Sequence, residues 1–356
     1  MKRVVVAMSG GVDSSVAAAL MHRQGYEVIG VTMTLSPNET QAAPAGRGCC
    51  SVWDVTDAEK VAWKLGIPHY AFNLREEFRK HVIDDFLDEY ARGRTPNPCR
   101  RCNQHIKFDH LMQRAEELGA EKVVTGHYAR IRQEGGHFHL LKGLDASKDQ
   151  SYVLASLTQA QLSRSLFPIG ELAKSQVRDL ARELGLDSVA NKPESMDLCF
   201  IPDGDTAGFL RKELGEMRSG EILEKDGTVL GRHEGVELYT VGQRKGLGIA
   251  TGKPRYVMEL RVASGQVVVG DVDDLMASTM EVEELSWIQP VPERAWVKYR
   301  HATPGAEARL ENVEPHRLRV HFDQPQRALT PGQAAVFYQG DEVLGGGTIA
   351  SVSRIS

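Results

Sequence analysis

The stretch Ala7–Ser14, A-M-S-G-G-V-D-S, constrains this chain more than any other. It directly follows the apolar run Val4-Val5-Val6 and precedes an Ala- and Val-rich run from Ser14 to Leu20. A strand, a Gly-rich turn and a helix start in that order make an anion cradle. Gly10 and Gly11 can take φ > 0 and let the backbone approach a ligand closely. The N–H groups of the first helical turn then face a negative charge. A generic phosphate loop needs G-x-x-x-x-G-K-[ST], and no Lys stands at this helix start. That argues against a γ-phosphate grip of the kinase or GTPase kind.

Strand and helix signals alternate through the first ~200 residues. Strands are expected at Arg3–Met8, Glu27–Thr34, His69–Asn73 and Lys122–Thr125. Helices are expected at Ser14–Gln24, Val52–Leu65, Glu76–Tyr90, Ile106–Leu118 and Ser175–Leu184. Leu65-Gly66, Leu118-Gly119 and Leu184-Gly185 read as helix ends with a C′ glycine. The pattern predicts an α/β fold with a doubly wound parallel sheet, covered on both faces. Ligands of such sheets sit beyond the carboxyl ends of the strands. This puts the Ser9–Ser14 loop, Met33 and Gly126 on one rim. Pro37–Gly48 reads as a polar insertion.

After Pro202 helical periodicity weakens, and short apolar alternations appear between turn pairs such as Asp226-Gly227 and Ser264-Gly265. At 356 residues, two or three domains are expected. The boundaries read as 1–205 for the α/β domain, 206–268 for a small β-rich domain and 269–356 for a C-terminal β-barrel. Apolar content of 41% and charged content of 26% are those of a soluble globular protein. No apolar run approaches ~20 residues, so no membrane span is expected. The chain enters a strand with no signal-peptide core, and five cysteines is an odd count. A reducing, cytoplasmic setting is expected, where cysteine is more often reactive or metal-bound than a structural disulfide.

The net charge is −5, but two basic runs stand out. Tyr90–Phe108 holds Arg92, Arg94, Arg100, Arg101 and Lys107 with no acid. Gly242–Tyr256 holds Arg244, Lys245, Lys253 and Arg255, again with none. Local basic patches of this kind grip a phosphate backbone, although ordinary solvated charge accounts for them equally well.

Arg94-Thr95-Pro96-Asn97-Pro98-Cys99-Arg100-Arg101-Cys102-Asn103 is the second strong signal. Its two prolines predict a stiff extended segment that delivers Cys99 and Cys102 near the next helix start. Thiols there, beside arginines, gain thiolate character and nucleophilicity. C-x-x-C alone also suits a zinc half-site, a dithiol redox pair or part of an iron–sulfur site. No second such pair completes a zinc set. Cys199, in S-M-D-L-C-F-I, reads on its own as a buried structural cysteine. The vicinal Cys49-Cys50 pair is given no role.

S-G-G-V-D-S is similar to the pyrophosphate loop of ATP pyrophosphatases, which split ATP into AMP and pyrophosphate. With it, in order, come T-P-N-P-C-x-x-C-N-x-x-I-K-F, T-G-H-Y-A-R, D-A-S-K-D-Q-S-Y-V-L, S-M-D-L-C-F-I, T-V-G-Q-R-K-G-L-G-I and L-T-P-G-Q-x-A-V-F-Y. Together they resemble the bacterial-type tRNA-specific 2-thiouridylases over essentially the whole chain. The resemblance implies replacement of O2 of the tRNA wobble uridine by sulfur, after ATP adenylates that oxygen.

By the same resemblance Ala7, Met8, Ser9, Gly10, Gly11, Val12, Asp13 and Ser14 hold the ATP phosphates, with Asp13 orienting the loop or a Mg²⁺ ion. Met33 and Gly126 line the adenosine. Cys199 carries sulfur as a persulfide, and Cys102 is its partner thiol. Either the persulfide attacks C2 directly, or Cys102 first releases hydrosulfide; both routes need the two thiols within bonding reach. Asn97, Pro98 and Cys99 meet the target base, where a general-base role is in doubt because Cys99 is not a carboxylate. His127, Lys148, Asp149, Gln150, Tyr299, Arg300 and Gln333 match tRNA contacts of the family, and Arg244 and Lys245 suit backbone phosphates. An alternative has Cys99, Cys102 and Cys199 holding a [4Fe–4S] cluster. Implied partners are tRNA and a cysteine desulfurase or sulfur-relay protein, with no membrane and a monomeric enzyme. Rival readings are another AMP-forming pyrophosphatase, which needs no Cys102–Cys199 pair, and a tRNA-binding module without catalysis.

Overall fold

The N-terminal valines become the middle strand of a five-stranded parallel sheet. The computed structural model describes residues 2–35, 52–193 and 198–354. The Pro37–Gly48 insertion, Cys49, Cys50 and the Ser195–Asp197 part of the Cys199 motif lie outside the described residues. Strands β1 (Arg3–Ala7), β2 (Glu27–Thr34) and β3 (His69–Asn73) alternate with α1 (Val12–Arg23) and α2 (Val52–Leu65). Then α3 (Arg75–Phe78) and α4 (Asp84–Ala91) flank a π-helical turn at Arg79–Ile83. A second helical run joins α5 (Pro98–Arg101) through the π-helical Cys102–His110 to α6 (Leu111–Glu117). After β4 (Lys122–Val124) come a hairpin of β5 (Ala129–Glu134) and β6 (His137–Lys142), then α7 (Gln159–Ser163), β7 (Ser165–Leu166), α8 (Lys174–Glu183) and α9 (Asp187–Ala190). The sheet order is β3-β2-β1-β4-β7, and every pairing is parallel.

The period of two in β1 divides its side chains between two faces. Val4 and Val6 pack with Val16, Ala17 and Met21 of α1, Val61 of α2 and Val177 and Ala181 of α8. Val5 is fully buried outside that cluster, and α6 packs against β4. The three Leu-Gly steps end their helices as expected. Gly66, Gly119 and Gly185 are left-handed, and the next residue in each case bonds back to the carbonyl of Ala62, Ala115 or Ala181.

Three local expectations are corrected. Helix α1 starts at Val12, not Ser14, and of the two loop glycines only Gly10 is left-handed, while the N-cap Gly11 is extended at φ −98°. Asp13 in the first turn suits the positive helix end, which favours the earlier start. The helix expected from Ile106 begins at Pro98, where a proline loses no needed N–H. The β5–β6 hairpin was not expected at all; Gly135 and Gly136, both with φ > 0, make its two-residue turn.

Packing divides the chain into two compact units. The first comprises 1–82, 99–205 and 341–343; the second comprises 83–98, 206–340 and 344–356. The second unit contains α10 (Thr206–Leu214) and a four-stranded sheet of β8 (Gly220–Glu224), β9 (Val229–His233), β10 (Tyr256–Arg261) and β11 (Gln266–Gly270), in the order β10-β11-β8-β9. It also contains β12 (Met276–Trp287), β13 (Arg294–Lys298), β14 (Ala306–Glu314), β15 (Arg317–Arg327), β16 (Ala334–Gln339) and most of β17 (Glu342–Arg354). These run in the order β12-β15-β14-β13-β16-β17, and pairing of β12 with β17 closes them into a barrel. Its core includes Met280, Val297, Val320, Phe337 and Ile349. Residues 83–98 belong to this unit: Phe86 of α4 packs edge-on to Phe209 of α10, with centroids 6.1 Å apart.

Candidate active site

In the parallel sheet the chain runs outward from β1 to β3, then returns to the other side of β1 as β4. The reversal lies between β1 and β4, where ligands of such sheets bind beyond the strand ends. The loops after these strands meet there. A Cβ on Gly126 would lie 2.7 Å from Asp13 C and Ser14 N, so only glycine lets the β4 loop touch the start of α1. Gly10 has φ +68°, and a Cβ there would lie 2.5 Å from Asp54 O. Met8 is 2% exposed and belongs to the core; Met33, near the end of β2, is also buried.

Hydroxyl groups knit the loop together. Ser14 Oγ accepts from Ser9 N–H at 3.1 Å and donates to Gly11 O at 3.2 Å, while Ser15 Oγ donates to the same carbonyl at 2.8 Å. Ser14 is buried beneath the loop, and Ser9 is exposed on it. Gly11 caps α1 without a side-chain acceptor. Amides of the first turn therefore point at the rim, as an anion requires.

Two lysines far away in sequence hold this loop, and the sequence reading did not find them. Lys174, at the start of α8, places Nζ 2.8 and 2.7 Å from the two carboxylate oxygens of Asp13. Tyr128 OH donates to Asp13 Oδ1 at 2.8 Å. Lys192 Nζ donates to Gly10 O at 3.2 Å, Asp54 Oδ1 at 2.8 Å and Asp57 Oδ2 at 3.1 Å. Burial pulls Lys192 down, but the two aspartates outweigh it and hold the ammonium above the ordinary lysine range. The loop is thus braced by lysines from other elements, not by one at the helix start. Asp13 is engaged by Lys174 and Tyr128, which orients the loop.

Cys99 is exposed in the first turn of α5, and Cys102 opens the π-helical stretch, half-buried. Asn103 donates to Cys99 O at 2.9 Å, which ties this turn down. Cys199 is half-buried, not fully buried as its apolar neighbours suggested. Phe200 packs edge-on to Phe78 of α3, at 5.9 Å between centroids, and α3 packs against the stretch that Cys102 opens. The same compact unit therefore carries the loop, Cys102 and Cys199. No disulfide joins the described cysteines. Among the described residues no group of three or more His, Cys, Asp or Glu side chains is placed to hold a metal ion.

Several residues matched to tRNA contacts serve the protein's own framework. His127 is buried against Phe108 and Phe167, with Nδ1 2.7 Å from Thr125 Oγ1. Burial, with a smaller contribution from Lys107, holds its imidazole well below the usual range and so neutral. Asp149 accepts from Gly143 N–H and from both the N–H and hydroxyl of Ser151, at 2.9–3.1 Å. Gln150 exchanges hydrogen bonds with the Tyr128 backbone at 3.0 and 2.9 Å. Lys148 is half-buried in the same turn. Tyr299 is 6% exposed in the barrel core, edge-on to Phe322, so its ring offers no open face to a base. Arg300 donates to Val241 O at 3.1 Å and to Thr330 Oγ1.

The two basic runs also part company. In the first, Arg94 is paired with Glu89 and Glu283, and Arg100 is buried. In the second, Arg255 is paired with Glu224 and Asp271, and Lys253 lies 3.7 Å from Asp271. Arg244 and Lys245 stay exposed, the two of these nine cations best placed for a phosphate backbone.

Three family models cover the chain. The one described as tRNA methyl transferase HUP domain matches residues 2–203. The tRNA methyl transferase PRC-barrel domain matches 207–271, and the aminomethyltransferase beta-barrel domain matches 277–349. A protein named tRNA-specific 2-thiouridylase MnmA from Carboxydothermus hydrogenoformans is 49% identical, covering 98% of this chain and 97% of its own. The protein of that name from Solibacter usitatus is 51% identical over 97% of this chain and 98% of its own. The chain belongs to the tRNA-specific 2-thiouridylase family. Membership fits the HUP-type parallel sheet, the small middle domain and the closed barrel seen here. Among the described residues no helix is long and apolar enough to cross a membrane.

Proposed function

We propose that this protein replaces O2 of the wobble uridine of tRNA with sulfur, driven by ATP. The carbonyl is a poor electrophile. Its oxygen attacks the α-phosphorus, pyrophosphate leaves, and the adenylated oxygen becomes a good leaving group. The Ala7–Ser14 loop, with the first-turn amides of α1, binds the phosphates, and Lys174 and Lys192 fix its shape. Met33 and Gly126 flank the adenosine side. Sulfur arrives on Cys199 as a persulfide from a cysteine desulfurase or relay protein.

Two routes conserve atoms and electrons. In one, the outer persulfide sulfur attacks C2, AMP leaves, and Cys102 attacks Cys199 Sγ to release the thiouridine. In the other, Cys102 attacks first and frees hydrosulfide, which displaces AMP. Each ends with a Cys102–Cys199 disulfide, reduced afterwards by an external thiol. Asn97, Pro98 and Cys99 face the extruded base. The observation that carries the reading is the placement of a lysine-braced anion loop, Cys102 and Cys199 in one compact unit. The family models carry methyl-transferase names, and methyl transfer needs neither the thiols nor an AMP-forming loop.

The test supplies purified protein with tRNA, ATP and a persulfide donor. AMP and pyrophosphate release that depends on tRNA, with an oxygen-to-sulfur mass change on the wobble uridine, is expected. ATP turnover without thiouridine, or a methylated base, overturns the proposal.

A further inference from the structure

Gln333 matches a tRNA contact of the family, yet its amide is already engaged. Its Nε2 donates to Thr95 O and to Pro96 O, both at 3.0 Å. A glutamine amide has two N–H donors, so both are used on this one segment, and Oε1 is the group left over. The segment needs such a partner. Pro96 and Pro98 have no N–H, so Thr95–Pro98 cannot be held by a ladder of its own. Thr95 N–H donates to Pro331 O at 2.8 Å. Gly332 has φ +91°, and a Cβ there would lie 2.8 Å from Thr95 N and O. Pro331-Gly332-Gln333 is therefore a template against which Thr95 and Pro96 lie directly.

The template is fixed to the barrel. Gly332 N–H donates to Ile349 O and Ile349 N–H to Gln333 O, each at 2.8 Å. Arg300 braces the same loop through Thr330 Oγ1 and Val241 O. Upstream, Arg94 holds Glu89 at 2.8 Å and Glu283 of β12 at 2.9 Å. All these groups lie in the second unit.

We propose that Gln333 is a positioning residue: its amide clamps Thr95 and Pro96 on the barrel and so sets the register in which Asn97, Pro98 and Cys99 meet the uridine. The role rests on the reading of these three residues as base-facing. Arg300 acts one step further back, through Thr330.

Gln333→Ala and Gln333→Glu test it. Glutamate keeps the acceptor oxygen that an RNA contact through Oε1 would use, but its carboxylate cannot donate and repels both carbonyls. The clamp predicts that Gln333→Glu is the worse variant. Single-turnover thiolation at saturating tRNA should fall about tenfold or more, as misplacement of a reacting group does. The tRNA Kd should change less than about threefold, and hydrogen exchange at the Thr95 amide should quicken without RNA present. A weaker Kd with an unchanged rate at saturation, a near-normal Gln333→Glu, or unaltered Thr95 exchange overturns the clamp. A wild-type protein that makes no thiouridine overturns the proposed function, and the positioning role with it; unaltered exchange in an active enzyme overturns the clamp alone.

Discussion

The loop after β1 and the segment Thr95–Asn97 are both short, both marked by Gly or Pro, and both read as substrate-facing. They are held by different chemistry. The loop is braced by ammonium groups, Lys174 on Asp13 and Lys192 on Gly10 O, Asp54 and Asp57. The segment is held by the neutral amide of Gln333 and by a backbone bond to Pro331. The difference follows the substrate each would meet. A polyanion is best received by first-turn amides on a loop already held in shape; an uncharged base is best received by fixed backbone geometry. Each lysine is also paired with acids, so the loop is braced without leaving a charge unpaired.

The comparison breaks most readily at the thiols, which must serve the second substrate and not the first. Cys102→Ser and Cys199→Ser should each abolish thiouridine while leaving tRNA-dependent adenylation, followed as pyrophosphate release in a single turnover. Loss of adenylation as well would merge the two regions into one function. Next in size is Lys174→Met, which leaves Asp13 bonded to Tyr128 but strips its counter-charge at the mouth of the anion loop. The KM for ATP should rise by roughly tenfold, the worth of one charge-assisted hydrogen bond, with tRNA affinity unchanged. An equal effect on tRNA binding would contradict the division.

A third substitution sharpens the other side. Arg94→Ala leaves Glu89, a buried carboxylate, without its nearest cation at 2.8 Å. Breaking such a pair costs about 3 kcal/mol. The thermal transition should fall, and the ATP-dependent half-reaction of the folded protein at lower temperature should be kept.

The smallest effect is on pH. His69, His81, His127 and His233 are all lowered, in each case first by burial. A histidine lowered in the folded state leaves stability untouched above its unfolded pKa. As pH falls below that value the unfolded chain takes up a proton the folded chain refuses, and stability declines until the folded pKa is passed. Denaturant midpoints should therefore drop below about pH 6.5. His127→Gln should flatten the slope, because His127 is the most buried of the four.

The ATP side was legible because its signals are local. A β-run, two glycines and a helix start sit within a dozen residues, and the Leu-Gly helix ends carry their own chemistry. Its braces were not legible, since Lys174 and Lys192 lie some 160 and 180 residues beyond the loop and only the fold joins them. The segment before Cys99 was legible as stiff, from its prolines, but not as clamped, because Gln333 lies 238 residues from Thr95. The helix start at Pro98 was missed because C-R-R-C-N-Q-H has no apolar stripe to announce it. The β5–β6 hairpin did announce itself, through Gly135-Gly136 between alternating residues, and the strand–helix rhythm around it obscured the signal. Charge was ambiguous for a similar reason: a run of arginines without local acids reads as a patch, yet Arg94 and Arg255 are paired with glutamates far along the chain.

The account stands on transfer of sulfur through Cys102 and Cys199 to an ATP-activated uridine. The most direct measurement is peptide mass mapping after one turnover of persulfide-loaded protein with ATP and tRNA, without reductant. One Cys102–Cys199 disulfide for each thiouridine formed, and none when ATP or tRNA is omitted, is the predicted result. Thiouridine formed at full yield with both cysteines still reduced would contradict it.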